Sequence, residues 1–175
     1  VFSKVYNKYD LMNDVMSLGI HRIWKNKLID WMNPSYHSSL IDVASGTGDI
    51  AKLFSLRNKN MSIVTCIEPN ENMLKKGKKN LSNFKNIKWI KSSAETLPVA
   101  DNTYDFYSIS YGIRNVSDIN KTLSEAYRVL KPGGRFMCLE FSKVENELLN
   151  YFYKNYSKVI PVIGKYIVGS SKPYE

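Results

Sequence analysis

Along most of this chain, short continuous apolar runs alternate with stretches in which apolar residues recur every three or four positions. Leu40 and Ile41 open the first such run and predict a buried strand ending at Asp42. Ile50, Ala51, Leu53 and Phe54 then take up helical spacing as far as about Leu56. Ser62–Ile67 predicts a second strand closed by Glu68-Pro69, and Asn70 is placed to cap a helix running through Leu81. Ile87–Ile90 and Tyr104–Ser110 predict the third and fourth strands. Between them, Leu97-Pro98-Val99-Ala100-Asp101-Asn102 is rich in turn formers.

Asp118 is placed to cap a helix with Ile119, Leu123, Ala126 and Leu130 on one face, and Lys131-Pro132-Gly133-Gly134 stops it. Arg135–Phe141 is apolar nearly throughout, as a central fifth strand should be. Residues 1–33 are expected to be helical, with Phe2, Val5, Tyr6 and Tyr9, then Ile20, Ile23, Trp24, Leu28 and Trp31, at helical spacing. Leu148, Leu149, Tyr151, Phe152 and Tyr156 predict a further aromatic helix, broken by Pro161. Strands alternating with helices give an α/β, doubly wound parallel sheet in a single domain. Its parts are an N-terminal helical cap (1–33), a ligand-binding core (39–143) and the start of a substrate-side region (144–175).

Composition narrows the class. The 175 residues suit one domain with a full core. An apolar content of 43% with a mean hydropathy of -0.32 reads as soluble and globular, and no apolar run approaches the roughly 18 residues of a membrane helix. The chain opens on Val1, which suggests a fragment or a processed form whose targeting segment would lie upstream. Cys66 and Cys138 sit inside apolar runs and are expected to be buried, reduced thiols. His21 and His37 have no metal-ligand spacing with them, so no metal site is expected. The net charge of +9 leans on lysines such as Lys75, Lys76, Lys78 and Lys79. These share a helix with Met73, Leu74 and Leu81, so a solvated face explains them, and no basic stripe interleaved with aromatics points to nucleic acid.

The candidate chemistry lies in the turn after the first strand. Ala44-Ser45-Gly46-Thr47-Gly48 joins strand to helix with glycines that let a ligand approach the backbone. Glu68 follows about 20 residues later, where such folds hold ribose hydroxyls. The third glycine of the dinucleotide fingerprint is missing, and Asp49 at the helix start would repel a pyrophosphate. A ligand with an ammonium group and no phosphate, such as S-adenosylmethionine, suits it better.

Asp42-Val43-Ala44-Ser45-Gly46-Thr47-Gly48-Asp49 resembles the first motif of class I S-adenosylmethionine methyltransferases, and Leu130-Lys131-Pro132-Gly133-Gly134-Arg135 resembles their motif before strand five. Two further stretches narrow the likeness. Tyr9–Asp14 with Ser17–Lys25, and Tyr111-Gly112-Ile113-Arg114-Asn115 with Leu139–Lys143, resemble the ubiquinone/menaquinone biosynthesis C-methyltransferases. The resemblance spans nearly the whole chain. It implies a Rossmann-like, mostly parallel methyltransferase sheet whose last strands are missing from this chain. Gly46, Thr47, Gly48, Glu68, Ser93, Ala94 and Ser110 then hold S-adenosylmethionine. Ser45 stands where the family usually has Gly, suggesting an ordinary φ there, and Glu68 replaces the commoner Asp.

The implied reaction methylates a ring carbon of a polyprenylated benzoquinol in ubiquinone biosynthesis, the 2-methoxy-6-polyprenyl-1,4-benzoquinol step. Demethylmenaquinol methylation and a non-catalytic scaffold in a quinone-biosynthesis complex are the alternatives. Arg114, Asn115 and Tyr9 are the candidate catalytic residues. Arg114 is read as stabilising the developing phenolate, against the plainer reading that it pairs with an acid to hold its loop. The expected partners are the quinol, a membrane surface, a quinone-biosynthesis complex and a second copy of the chain. The implied location is the matrix side of the mitochondrial inner membrane in a eukaryote, or the cytoplasm in a bacterium.

Overall fold

The computed structural model describes Ser17 and residues 19–141. In chain order the elements are α1 (His21–Met32), β1 (Ser39–Val43), α2 (Asp49–Arg57), β2 (Ile63–Ile67), α3 (Glu71–Asn80), β3 (Ile87–Ile90), β4 (Tyr104–Ser110), a 3-10 turn (Ile113–Asn115), α4 (Ile119–Val129) and β5 (Leu130–Leu139). The chain divides into two compact units, residues 25–140 and residues 1–24 with 141–175. In the second unit, the backbone N–H of His21 donates to Ser17 Oγ, and Trp24 meets Phe141 edge to face at 5.9 Å.

The sheet belongs to the 25–140 unit. Its five strands are all parallel, in the order β3-β2-β1-β4-β5. The order reverses beside β1, and sheets of this kind bind their ligands beyond the carboxyl ends of the strands at such a switch point. β1 is buried along its whole length because it has neighbours on both edges and helices on both faces. On one face Leu28, Ile29 and Met32 of α1 and Ile50, Ala51 and Phe54 of α2 close over Leu40, Val64, Cys66 and Phe106. On the other, Ala126 and Val129 of α4, with Ala94 and Leu97, cover Ile41, Val43, Ile67, Tyr107 and Ile109.

Helix boundaries follow local chemistry. Asn70 Oδ1 accepts from the amides of Asn72 and Met73, and Asp118 Oδ1 accepts from that of Lys121, so both expected caps form. Lysines 75, 76, 78 and 79 lie opposite the buried Met73, Leu74 and Gly77, as a solvated face should.

Three expectations need correction. β5 starts at Leu130, directly after α4, and it is the edge strand among the described residues rather than a central one. With a single strand neighbour it leaves Cys138 exposed, while Cys66 of β2 is buried as expected. α4 buries Thr122, Ala126 and Val129 instead of an Ile119–Leu123 face. Thr122 is tolerated inside because its hydroxyl donates to the carbonyl of Asp118 at 2.9 Å. Ile119, Leu123 and Tyr127 therefore face outward. The aromatic segment at 145–160 lies outside the described residues.

Candidate functional site

The turn after β1 is built from left-handed backbone at Ala44 (φ 52°), Gly46 (φ 57°) and Gly48 (φ 88°). Ser45 has no positive φ, as its side chain suggests, and the adjoining Ala44 carries the strained conformation instead. Gly48 is needed for space as well as for φ, because a Cβ there would stand 2.7 Å from Leu81 Cδ1. The turn is closed by the amide of Gly48 donating to the carbonyl of Ser45 at 2.9 Å, and it is tied to β2 by the amide of Ser45 donating to that of Ile67. Thr47 is buried at its tip.

Glu68 reaches back from the end of β2 to brace this turn. Its Oε2 accepts from the amide of Gly46 and its Oε1 from the amide of Asn70, both at 2.8 Å. The side chain is 4% exposed. Burial pushes its carboxyl above the ordinary value, and the two amides oppose that shift. A carboxylate has about four acceptor sites, so two amide bonds leave capacity for a pair of hydroxyls. The extra methylene of Glu over Asp spans the gap to Gly46.

Ala94 is buried and Ser93 exposed in the loop after β3. Their neighbour Glu95 accepts from the amides of Ser117 and Asp118 at 2.6 and 3.3 Å, fixing this loop to the one before α4. Ser110 ends β4 with a buried Oγ that has no hydrogen-bond partner among the described residues. Such an orphan is costly unless a ligand meets it. Left-handed turn, carboxylate and orphaned hydroxyl all lie at the carboxyl ends of β1, β2 and β4, and together they fit an adenosyl amino acid.

The turn after β4 presses against the one after β1. A Cβ on Gly112 would stand 2.6 Å from Ala44 Cβ, so the two turns touch with no room to spare. Tyr111 takes a positive φ of 55°, and Gly112 leads into the 3-10 turn that carries Arg114 and Asn115. Arg114 Nη1 lies 3.2 Å from Glu140 Oε1, so the ion pair envisaged for this arginine exists. Asn115 Nδ2 donates to the carbonyl of Tyr111 at 3.4 Å. Tyr9 lies outside the described residues.

Two features went unread in the sequence. Asp49 is paired with Lys25 of α1 at 2.6 Å, with the lysine side chain nearly buried and that of Asp49 45% exposed. Beneath the turn, Asp42 is buried and accepts from Ser108 Oγ at 2.6 Å. Burial drives its pKa up from 3.8 to about 7, the Ser108 bond opposing, Asp49 adding to the rise and Lys25 opposing it. Lys25, Asp42 and Asp49 lie within the family-like motifs and Ser108 within the fourth strand, but spacing carries no sign that the fold brings them together.

Residues 1–175 match the model of the ubiE/COQ5 methyltransferase family. The ubiquinone/menaquinone biosynthesis C-methyltransferase UbiE of Rickettsia bellii is 54% identical over 183 aligned residues, covering 100% of this chain and 73% of that protein. The UbiE of Rickettsia prowazekii is 52% identical with the same coverage. Among solved structures, a putative S-adenosyl-L-methionine-dependent methyltransferase from Methanococcus maripaludis superposes with a TM-score of 0.70 at 17% identity, over 94% of this chain and 73% of that one. A SAM-dependent methyltransferase from Aquifex aeolicus gives 0.64 at 24% identity, over 70% of this chain and 66% of that one. Both of these relatives are bacterial, and the mitochondrial location gains no support from them. Among the described residues no helix is long and apolar enough to cross a membrane, and no cluster of His, Cys, Asp and Glu suits a metal.

Proposed function

The chain belongs to the ubiE/COQ5 methyltransferase family and is an S-adenosylmethionine-dependent C-methyltransferase of quinone biosynthesis, and from that premise we propose that it methylates the ring of a polyprenylated benzoquinol. The observation that carries this reading is the likeness to UbiE proteins along all of this chain and 73% of their length, joined to a Glu68-braced turn suited to the cofactor. The proposed substrate is the 2-methoxy-6-polyprenyl-1,4-benzoquinol of the ubiquinone pathway. Side-by-side turnover of that quinol and of demethylmenaquinol, each with a short tail, tests the choice. A higher kcat/KM on demethylmenaquinol would reverse it.

When bound, S-adenosylmethionine supplies an electrophilic methyl group. The chain has to hold it, aim the ring carbon at it and make the ring electron-rich. Thr47 holds the methionine end with its own hydroxyl and amide, Glu68 accepts the ribose hydroxyls, Ser93 and Ala94 meet the adenine edge, and Ser110 offers its orphaned hydroxyl. Arg114 stabilises negative charge on the quinol oxygen, and Asn115 of the same 3-10 turn is assigned to the substrate side. Arg114→Lys keeps a positive charge but loses the planar fork of donors. Its expected result is unchanged cofactor affinity by calorimetry and a kcat about tenfold lower, near 1.4 kcal/mol of lost charge-assisted bonding. Loss of cofactor binding instead would place Arg114 outside the substrate pocket.

An isoprenoid substrate sits in a bilayer, so the enzyme is proposed to work at a membrane surface. Ile23, Lys27 and Trp31 recur every four residues along α1 and stay exposed, Trp31 by 72%. Basic residues near anionic lipid contribute about 1 kcal/mol each. Flotation with anionic liposomes at low salt should carry the protein upward, and Trp31→Ser should return part of it to the soluble fraction. A wild-type protein that stays soluble would show that another component presents the lipid.

A further inference from the structure

Methylating a quinol carbon needs a group that accepts the hydroxyl proton, and the residues assigned so far do not include one. A phenol ionises near pH 10, so little phenolate exists at neutral pH without help. Arginine is a poor acceptor because it stays protonated. The carboxylates at the carboxyl edge of the sheet have visible duties. Asp49 is held by Lys25, Glu68 by two amides of the cofactor turn, and Glu95 by the amides of Ser117 and Asp118. Asp42 lies buried beneath the turn, against Ser108. Glu140 is joined instead to the very arginine that the reaction employs.

The geometry of that pair is specific. β5 ends at Leu139, whose carbonyl accepts from the amide of Tyr111 at 2.7 Å. This bond sets the residue after β5 beside the turn after β4. Glu140 therefore projects from the same edge as Ser110 and Arg114, with its side chain 19% exposed and that of Arg114 43%. Cys138 lies two residues back on Glu140's own strand. Its thiol, though exposed at the sheet edge, is pushed up by partial desolvation and by the charge of Glu140. Arg114 and Cys138 are among the charged and titratable groups that face this carboxylate.

We propose that Glu140 is a catalytic residue that accepts the quinol hydroxyl proton while Arg114 holds the oxygen it leaves behind. The inference rests on the quinol reading above. The O–H bond breaks and its proton passes to the Glu140 carboxylate. The electron pair left on oxygen moves into the ring, and the ring carbon bonds to the methyl carbon as the S–CH3 bond breaks. The ring carbon then loses its own proton to water, restoring aromaticity. The oxygen takes back the proton held by Glu140, so one proton reaches solvent per methyl transferred.

Glu140→Gln keeps shape and removes the acceptor. With a short-tailed benzoquinol, its kcat at pH 7 should fall about 100-fold, within the range for general bases. The deficit should shrink toward pH 10, where the quinol ionises unaided, and calorimetric cofactor affinity should change less than twofold. A second readout needs no turnover: the absorbance of 4-nitrophenol bound to the cofactor-free protein. With the carboxylate gone and Arg114 retained, bound nitrophenol should ionise at least one pH unit lower in Glu140→Gln than in wild type. A kcat within threefold of wild type, or an equal deficit at every pH, overturns the proposal, as does an unshifted nitrophenol transition. Should Glu140→Gln fail to fold, Glu140→Asp should retain the wild-type pH profile at about one-tenth the rate, and a profile that tracks free quinol overturns the role. A wild-type protein inactive on every quinol defeats the substrate reading instead, and the nitrophenol transition still decides Glu140.

Discussion

Asp42→Asn should make this protein more stable at pH 8 than the wild type, with a gain that shrinks toward zero as the pH falls to about 4. Asp42 is buried beneath the cofactor turn, and its pKa is raised from 3.8 to about 7, chiefly by burial. Between those values the folded state binds the proton more tightly than the unfolded chain. Wild-type stability attributable to this group therefore falls as pH rises through that window. About three pKa units correspond to roughly 4 kcal/mol by pH 8, at 1.36 kcal/mol per unit. Asn has no charge to desolvate, and its carbonyl can still accept from Ser108 Oγ. Urea unfolding of both proteins from pH 4 to pH 8 measures the difference. A constant offset across the range would mean that Asp42 titrates normally.

Glu68→Ala should weaken S-adenosylmethionine binding at least tenfold, and it should also cost stability. The sequence alone suggests a carboxylate waiting for ribose hydroxyls. The structure adds that its two oxygens already fix the amides of Gly46 and Asn70. Bonds to a charged acceptor contribute about 1.5–3 kcal/mol each, and removal leaves the Gly46 amide in a turn that must keep φ near 57°. Affinity thus falls through the missing contact and through the loosened turn. Glu68→Asp separates the two effects, since it retains the charge but falls short of Gly46. Calorimetric titration with the cofactor, paired with urea unfolding, is the check. Unchanged affinity in a folded Glu68→Ala variant would remove Glu68 from the site.

Much of the fold was legible because parallel strands buried on both faces are written as continuous apolar runs. β3 and β4 fall where the pattern places them, and Asn70 and Asp118 cap the helices assigned to them. Misreadings arose where two apolar stripes compete or where a polar residue is satisfied internally. α4 offers Ile119–Leu123–Tyr127 as readily as Thr122–Ala126–Val129, and the hydroxyl of Thr122 hides its suitability for the interior. β5 is apolar enough for a central strand, yet the strand order sets it at the edge of the described sheet.

The cofactor turn was legible for a related reason, since glycine spacing and a carboxylate at the end of the next strand are local signals. Long-range partners were not. Lys25 and Asp49 are 24 positions apart, Asp42 and Ser108 are 66 apart, and Arg114 finds Glu140 only once β4 and β5 lie side by side. A charge in sequence shows that some partner is needed and leaves its identity to the fold.

The central claim, methyl transfer from S-adenosylmethionine to a quinol carbon, is tested most directly with methyl-labelled cofactor and short-tailed quinols kept reduced. Label should enter the organic-extractable quinol and stay there through mild acid treatment, as a C–CH3 bond requires. In Glu68→Ala that label should be lost at low cofactor concentration. Tight cofactor binding with no label in any quinol would contradict the account and leave the protein a cofactor-binding scaffold.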